Sequence, residues 1–281
     1  MQLLNASGCL DALTAPDTAT LLDAFVTKTV TPEPREGNAP PRIAETEHGM
    51  LNAIGLANPG RERFVDDVLP RLRALRLPLW VSVGGFAAHE YAETCARLDD
   101  VTIELNLSCP NVDEAPESAA EIVRVCRQAT ANPLYAKVSP HTWDMGETVR
   151  AIEAAGADGI SMVNTLRGAA LDAQFRPKLE RGSGGYSGPA LKPVALAAVL
   201  AARRATDLPI VAMGGVQGGR DALELIACGA THIALGTVLF ADPNAPERVR
   251  AELADESKRA GFEHPDDAFG VALATVARMA N

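Results

Sequence analysis

The sequence predicts an α/β fold, a (β/α)8 TIM barrel of 281 residues. Short apolar runs rich in Val, Ile and Leu alternate with stretches whose apolar residues recur at helical spacing, which is typical of βαβ units and a parallel sheet. The strand candidates number eight, as in this barrel. Polar and glycine-rich segments follow several of them, at the strand ends where barrels carry their sites. An open doubly wound sheet is the alternative.

The strand candidates are brief and apolar, as buried parallel strands are. The first, at residues 3–6, has the weakest pattern; the others are expected at 24–30, 79–83, 101–107, 134–138, 159–163, 210–213 and 232–235. Periodic apolar residues predict helices between them, at 62–75, 88–98, 118–129, 145–155, 193–205, 219–228 and 247–261. A last helix is expected at 268–279, so that residues 1–281 form a single barrel domain.

Two connections are too long to be simple turns. Residues 31–60 are rich in Pro, Glu and Asn, and residues 165–188 contain four glycines in their second half. Both follow strand candidates, so in a barrel both lie on the face formed by the carboxyl ends of the strands. Long connections within a compact domain are usually functional or disordered. We therefore expect two active-face loops, 31–60 and 165–188.

Composition and charge exclude several classes of protein. The net charge is −10, which argues against binding to nucleic acid or to an anionic membrane. Five cysteines, an odd number with no CxxC spacing, predict neither a disulfide framework nor a metal cluster. No signal peptide opens the chain and no apolar run is long enough to span a bilayer, so a cytoplasmic protein is expected.

Several polar residues at strand ends are candidates for binding. Each carboxamide offers two donors and one acceptor, so a converging group of them suits a flat heterocycle such as a pyrimidine, although Asn is also a common turn residue. Lysines within apolar strands are rarely buried alone; these two need an anionic ligand or an internal partner such as Glu104. The candidates are Asn52, Asn106, Asn111, Asn164, Lys28 and Lys137.

Glycines and one cysteine complete the candidate chemistry. Gly214-Gly215 and Gly236-Thr237 follow the last two strands, where barrels frequently hold a phosphate, although they could simply form tight turns. Cys109 lies in a polar segment beyond a strand, where it could act as a nucleophile or a general base. The other cysteines are interpreted as core residues, namely Cys9, Cys95, Cys126 and Cys228.

Six segments together resemble the dihydroorotate dehydrogenase family, specifically class 1. They occur in the family's order and are 26–30 (VTKTV), 50–60 (MLNAIGLANPG), 106–112 (NLSCPNV), 164–168 (NTLRG), 184–193 (GGYSGPALKP) and 214–216 (GGV). The resemblance implies an FMN-binding barrel that oxidises (S)-dihydroorotate to orotate in pyrimidine biosynthesis. In the family, a cysteine at the position of Cys109 takes the C5 proton while a hydride passes from C6 to N5 of FMN.

The resemblance also implies which residues bind each ligand. The substrate would contact Lys28, Asn52, Ile54, Gly55, Leu56, Asn106, Asn111, Asn164 and Thr165. FMN would contact Ser7, Lys28, Thr29, Ser82, Asn106, Lys137, Val163, Gly188, Gly214, Gly215, Gly236 and Thr237. Two departures from the family stand out. The chain starts close to the segment containing Ser7, giving a shortened N-terminus, and Ser82 stands where the family commonly has Asn.

The long 165–188 segment looks like subclass 1B. Such catalytic subunits form a homodimer core and pair with an electron-transfer subunit, giving a heterotetramer. That partner carries FAD and an iron–sulfur cluster and passes electrons to NAD; this chain lacks the clustered cysteines that bind such a cluster. Two alternatives stand beside this prediction. One is a barrel of the dihydropyrimidine dehydrogenase type acting on uracil or thymine, and the other is a non-catalytic barrel that binds flavin or phosphate.

Overall fold

The structure, a computed structural model, describes residues 1–107, 116–142 and 144–274. Within these ranges the chain forms twelve strands: β1 (Gln2–Asn5), β2 (Phe25–Val26), β3 (Ile43–Thr46), β4 (Gly49–Asn52), β5 (Leu79–Val83), β6 (Thr102–Asn106), β7 (Leu134–Lys137), β8 (Gly159–Met162), β9 (Leu166–Gly168), β10 (Gly184–Ser187), β11 (Ile210–Ala212) and β12 (His232–Leu235). Eight of them are parallel neighbours in the order β1-β12-β11-β8-β7-β6-β5-β2. The predicted barrel strands are therefore confirmed, including the weak first one.

Helices lie between the strands, as predicted. They are α1 (Pro16–Thr20), α2 (Arg61–Arg63), α3 (Leu69–Arg73), α4 (Ala88–Cys95), α5 (Pro116–Ala129), α6 (Met145–Ala154), α7 (Lys192–Arg203), α8 (Gly219–Ala227), α9 (Val238–Ala241) and α10 (Ala245–Arg259). The helix predicted at 62–75 is interrupted by a π-helical turn, Phe64–Val68. Pro70, two residues after this turn, has no N–H and cannot donate a helical hydrogen bond. Of the helix predicted at 268–279, residues 271–274 are helical and 275–279 lie outside the described residues.

The barrel closes between β1 and β2 through side chains. The backbones meet in an isolated bridge between Leu4 and Ala24. The buried Asn5 carboxamide accepts from the Val26 N–H and donates to the Val26 carbonyl, both at 2.8 Å. Asp23 accepts from the Leu3 N–H at 2.7 Å. These bonds replace the ladder that the short β2 does not provide, so the sheet closes on itself and the doubly wound alternative is wrong.

A bulge directly after β2 ends this strand earlier than the prediction of 24–30. The Thr27 N–H donates to the Trp80 carbonyl at 2.9 Å, and the Val30 N–H donates to the Ser82 carbonyl at 2.8 Å. The three steps from Thr27 to Val30 thus match the two steps from Trp80 to Ser82 on β5. One extra residue therefore lies between Thr27 and Val30. The Thr27 hydroxyl accepts from the Ser82 N–H at 3.1 Å, filling the interrupted ladder.

Two apolar layers surround the strands. Large apolar side chains fill part of the lumen: Trp80 and Tyr135 lie near the amino ends of their strands with ring centroids 4.4 Å apart, and Leu4, Val26 and Met213 belong to the same cluster. The second layer, between strands and helices, contains most of the remaining core. The lumen is therefore solid at one end and becomes polar toward the carboxyl ends of the strands.

The two predicted active-face loops contain strands. Residues from 31–60 and 165–188 combine in an antiparallel sheet of order β3-β4-β10-β9. The sequence did not predict these strands, because they are short, mostly exposed or half-buried, and without an apolar run, and three of the four contain glycine. The sheet links two chain segments that are far apart in sequence and fixes one over the other. Among the described residues, no helix is both long and apolar enough to cross a membrane.

Candidate active site

A neutral polar cluster crosses the lumen at the carboxyl ends of β5, β6 and β8. The Thr29 and Ser82 hydroxyls are 3.0 Å apart. The Asn106 carboxamide donates to Thr29 at 3.1 Å and accepts from the Asn164 side chain at 3.2 Å. Asn164 in turn accepts from the Thr165 N–H at 2.8 Å. The structure thus brings together five of the predicted site residues, which come from four separate segments of sequence.

A charged cluster lies beside the neutral one. Lys137 is the register partner of Asn106, and its ammonium donates to the Ser7 hydroxyl at 3.0 Å. The Glu104 carboxylate lies 3.5 Å from the ammonium and accepts from the Ser161 hydroxyl at 2.7 Å. The internal ion pair considered for Lys137 is therefore present. Lys137 can interact with Glu104 and with a ligand at the same time, because its ammonium has three protons to donate.

The first long segment meets the second at Gly185. The Asn52 side chain donates to the Gly185 carbonyl at 3.3 Å, and the two residues are register partners between β4 and β10. A Cβ placed on Gly185 would lie 2.1 Å from the Thr165 hydroxyl, so Thr165 packs directly against this backbone. The predicted substrate residues Asn52 and Thr165 are therefore held on either side of one glycine.

The turn containing Ile54, Gly55 and Leu56 is fixed by two other asparagines. The Asn38 side chain donates to the Ala53 carbonyl at 2.7 Å. The Asn58 side chain donates to the Leu56 carbonyl and to the Thr31 hydroxyl, each at 2.7 Å. Its oxygen accepts from the N–H groups of Thr31 and Gly60. Sequence reasoning missed both residues, because asparagines in a proline-rich stretch are indistinguishable from ordinary turn residues.

Lys28 lies at the rim of the barrel and is exposed to solvent. Desolvation by the surrounding atoms, followed by the positive charge of Arg42, lowers the pKa of Lys28, while Asp11 opposes the shift. Its stem passes Gly8, whose Cβ position would be 3.9 Å from the lysine Cγ. Lys28 is thus a rim cation, apart from the buried ammonium of Lys137.

The predicted phosphate residues line the adjoining part of the rim. Gly214 lies against Val163, whose N–H donates to the Met213 carbonyl at 3.0 Å. Gly215 has φ +82°, and a Cβ there would lie 2.5 Å from the Lys192 nitrogen, so only glycine fits. The other glycines and Thr237, all predicted to contact FMN, touch neighbouring segments: Thr237 donates to the Ser187 hydroxyl at 2.8 Å, Gly188 packs on Gly49, and Gly236 faces Ala6 and Cys9.

Of the four cysteines interpreted as core residues, three are buried and one is half-buried. Cys95, Cys126 and Cys228 are buried, and burial raises the pKa of Cys228 to about 11, as suits an inert thiol. Cys9 is half-buried beside the charged cluster, where desolvation raises the pKa of its thiol. Cys109 and Asn111, both predicted site residues, lie outside the described residues. In the part of the chain that the structure describes, no group of three potential metal ligands occurs.

Fold and site together define a (β/α)8-barrel protein whose polar residues converge at the carboxyl ends of the strands. The chain belongs to the dihydroorotate dehydrogenase family, whose profile matches residues 2–256. This confirms the resemblance seen in the six sequence segments.

The relatives narrow the family to its B class. The chain is 42% identical over 261 residues to the dihydroorotate dehydrogenase B (NAD(+)) catalytic subunit of Halalkalibacterium halodurans, covering 89% of this chain and 86% of the relative. It is 42% identical over 266 residues to the same subunit of Desulforudis audaxviator, covering 90% and 87%. The structure of DHODH from Eimeria tenella in complex with ferulenol superposes with a TM-score of 0.80, at 22% identity over 97% of this chain and 85% of that one, which supports the fold.

Proposed function

We propose that this protein is an FMN-dependent dihydroorotate dehydrogenase of class 1B, which oxidises (S)-dihydroorotate to orotate in pyrimidine biosynthesis. The observation that carries the proposal is the convergence of Thr29, Asn106, Asn164 and Lys137 at the carboxyl ends of the barrel strands, in a chain of this family. The names of the curated relatives support the same reaction.

The residues of the lumen fit FMN. Lys137 is buried yet, among the described residues, its ammonium donates a single hydrogen bond, to Ser7. Its remaining protons suit the electron-rich edge of a flavin ring, and Ser82 and Asn106 add polar contacts. The glycines after β11 and β12 suit the phosphate, because bare backbone N–H groups approach an anion closely. The other residues proposed to bind FMN are Ser7, Lys28, Thr29, Val163, Gly188, Gly214, Gly215, Gly236 and Thr237.

The substrate would lie between the rim cation and the carboxamides. Lys28 would neutralise the substrate carboxylate, and Asn52, Asn106, Asn111 and Asn164 would pair with its alternating C=O and N–H groups. Hydrogen bonds to its backbone hold the 53–56 turn in place. Its residues Ile54, Gly55 and Leu56 would cover the substrate ring. Thr165 would complete the contacts.

Cys109 would serve as the general base that removes the C5 proton. Bound FMN would supply the oxidant, taking up the hydride equivalent from C6. The chain's own contribution is then to orient C5 toward the thiolate and to balance the charge that develops on the ring. A cysteine is suited to this role because its ordinary pKa lies near the working pH.

The test is the visible spectrum of purified protein during anaerobic addition of dihydroorotate. We expect an FMN band that bleaches stoichiometrically. A band that bleaches only with uracil or thymine would replace this proposal with the dihydropyrimidine dehydrogenase alternative. Protein that binds FMN but is reduced by neither substrate would indicate the non-catalytic flavin-binding alternative.

A variant separates binding from catalysis. Cys109→Ala should retain FMN but lose about 100- to 10,000-fold in the rate of flavin reduction, because a positioned base contributes that much. The matched control is Cys228→Ala, which removes a buried thiol at the carboxyl end of α8 and should leave the rate unchanged. Stopped-flow measurement of both variants is decisive, since near wild-type reduction by Cys109→Ala would contradict the role of the base.

The proposal extends to assembly. The relatives are named as catalytic subunits of an NAD(+)-linked enzyme, which implies a second kind of subunit. We propose a homodimer of this chain, joined in a heterotetramer by an electron-transfer subunit with FAD and an iron–sulfur cluster, in the cytoplasm. Co-expression with such a subunit, followed by size-exclusion chromatography and an NAD reduction assay, tests this arrangement.

A further inference from the structure

The Glu104–Lys137 pair is the most deeply buried pair of opposite charges in the described part of the chain. Glu104 is 1% exposed and Lys137 is 4% exposed. The second carboxylate oxygen, Oε2, is engaged by Ser161. The first, Oε1, is buried and has no hydrogen-bond partner among the residues that the structure describes, and it faces the Lys137 ammonium across 3.5 Å. The two charges therefore attract each other without a short hydrogen bond.

Such a pair is expensive to bury. Moving two charges out of water costs several kcal/mol per ion, and close hydrogen-bonded geometry is what ordinarily offsets that cost. Here the carboxylate lies 3.5 Å from the ammonium, and within the described ranges its Oε1 accepts no hydrogen bond. Stability alone does not account for this arrangement, since a shorter contact or an apolar pair would serve it better.

The strand register shows on which side of the Lys137 ammonium the Glu104 carboxylate lies. Lys137 pairs with Asn106, whereas Glu104 pairs with Tyr135, one inward-facing position closer to the amino ends of the strands. The carboxylate thus attracts the ammonium from below, from the packed end of the lumen. The protons of Lys137 remain available on the side of the polar cluster and the rim.

We propose that Glu104 is a positioning residue that sets the net positive charge Lys137 presents to the flavin. This inference rests on the proposed function, because it requires FMN above Lys137. Glu104 supplies the counter-charge of Lys137 and offsets part of the attraction that the ammonium exerts on negative charge. A reduced flavin carries more electron density than an oxidised one, so Glu104 makes the bound flavin harder to reduce.

The variant Glu104→Gln removes the charge and keeps the shape and an acceptor for Ser161. Lys137 then loses its protein counter-ion, and the flavin becomes its main partner. We expect reduced FMN to gain about tenfold in affinity relative to oxidised FMN, since a unit charge acts strongly at a buried position shielded from solvent. For a two-electron couple, tenfold corresponds to a midpoint potential about 30 mV more positive.

The measurement is the midpoint potential of the flavin in the holoprotein, by equilibration with reference dyes. The matched control is Ser257→Ala on α10, which alters another buried polar group without a hydrogen-bond partner, outside the lumen. A positive shift in Glu104→Gln with an unchanged control supports the proposal; an unchanged or more negative potential overturns it. If Glu104→Gln does not fold, Glu104→Asp, whose carboxylate is one methylene further from Lys137, should shift the potential in the same direction by less.

A second experiment needs no flavin. In apoprotein, Glu104→Gln, Lys137→Met and the double variant form a thermodynamic cycle by urea denaturation. We expect the double variant to lose less stability than the sum of the single variants, because each single variant leaves one buried charge alone. Additive losses would overturn the ion pair. Protein that takes up no FMN would refute the proposed function, and the cycle would still report on the pair, so the two failures are distinguishable.

Discussion

The neutral and charged clusters lie side by side in one lumen, and they differ in how their polar groups are satisfied. In the neutral cluster, Asn106 is held on both sides, by Thr29 and by Asn164, with distances of 3.1 and 3.2 Å. In the charged cluster, Glu104 keeps one oxygen without a hydrogen bond, and Lys137 donates to Ser7 alone among the described residues.

The difference indicates that the two clusters would bind a ligand in different ways. The neutral cluster is a pre-formed array in which each amide is oriented by its neighbour, so it can recognise a ring without rearrangement. The charged cluster instead keeps donor capacity in reserve at a buried position, where electrostatic effects are strongest. We therefore expect the neutral cluster to govern recognition, and the charged cluster to govern the energy of the redox step.

The largest effect on stability is expected from Glu104→Ala. Removing the carboxylate leaves Lys137 as an uncompensated buried charge, which typically costs about 3–5 kcal/mol in the free energy of unfolding. Urea denaturation of the apoprotein measures it. Asp255→Ala, an exposed change on α10, is the control and should stay within about 0.5 kcal/mol. A loss no larger than the control's would mean that the two clusters do not differ in the way described.

An intermediate effect is expected from Asn106→Ala, in the centre of the neutral cluster. The change leaves the Thr29 hydroxyl and the Asn164 amide without a shared partner, which costs about 1–3 kcal/mol. Because both groups are neutral, the flavin potential should move less than in Glu104→Gln. Denaturation and dye equilibration on the same samples compare the two clusters directly, and a larger potential shift in Asn106→Ala would reverse the assignment of roles.

The smallest effect is expected from Ser82→Ala, at the end of the neutral cluster. The Ser82 side chain contacts the Thr29 hydroxyl, and that hydroxyl keeps its bond from Asn106 when the serine is shortened. The loss should be about 1 kcal/mol by denaturation. Ser82→Asn restores the residue common in the family; tighter FMN binding by this variant in a fluorescence titration would show that the serine is a weaker contact.

Much of the barrel could be predicted from the sequence because its strands are buried on both faces. Residues 210–212, for example, are all apolar, and residues 79–83 are apolar except for Ser82, so each run indicates a buried strand. The sheet β3-β4-β10-β9 could not be predicted, because its central pairing, β4 with β10, joins segments more than a hundred residues apart, and its strands include GGYS and LRG. Long-range pairing of half-exposed strands leaves no local periodicity.

In the candidate site, too, some features could be predicted from the sequence and others could not. The convergence of Asn106, Asn164 and Lys137 follows from the geometry of a parallel barrel, so strand ends alone were enough to predict it. Glu104 could be considered as a partner of Lys137 because a buried lysine requires one. The roles of Asn38 and Asn58 depend on the path of the 31–60 segment, which only the folded chain defines.

The bulge after β2 reverses which alternate side chains of this segment point into the lumen. Before it, Val26 points into the lumen and Phe25 packs toward the helices; after it, Thr29 points inward and Val30 packs outward. The parity of the strand is reversed within three residues, so even positions face the lumen on one side and odd positions on the other. Losing or gaining a single residue there would exchange inside and outside for the rest of the strand, exposing Val30 to the polar lumen and withdrawing Thr29 from it. The segment therefore tolerates substitutions far better than changes in length.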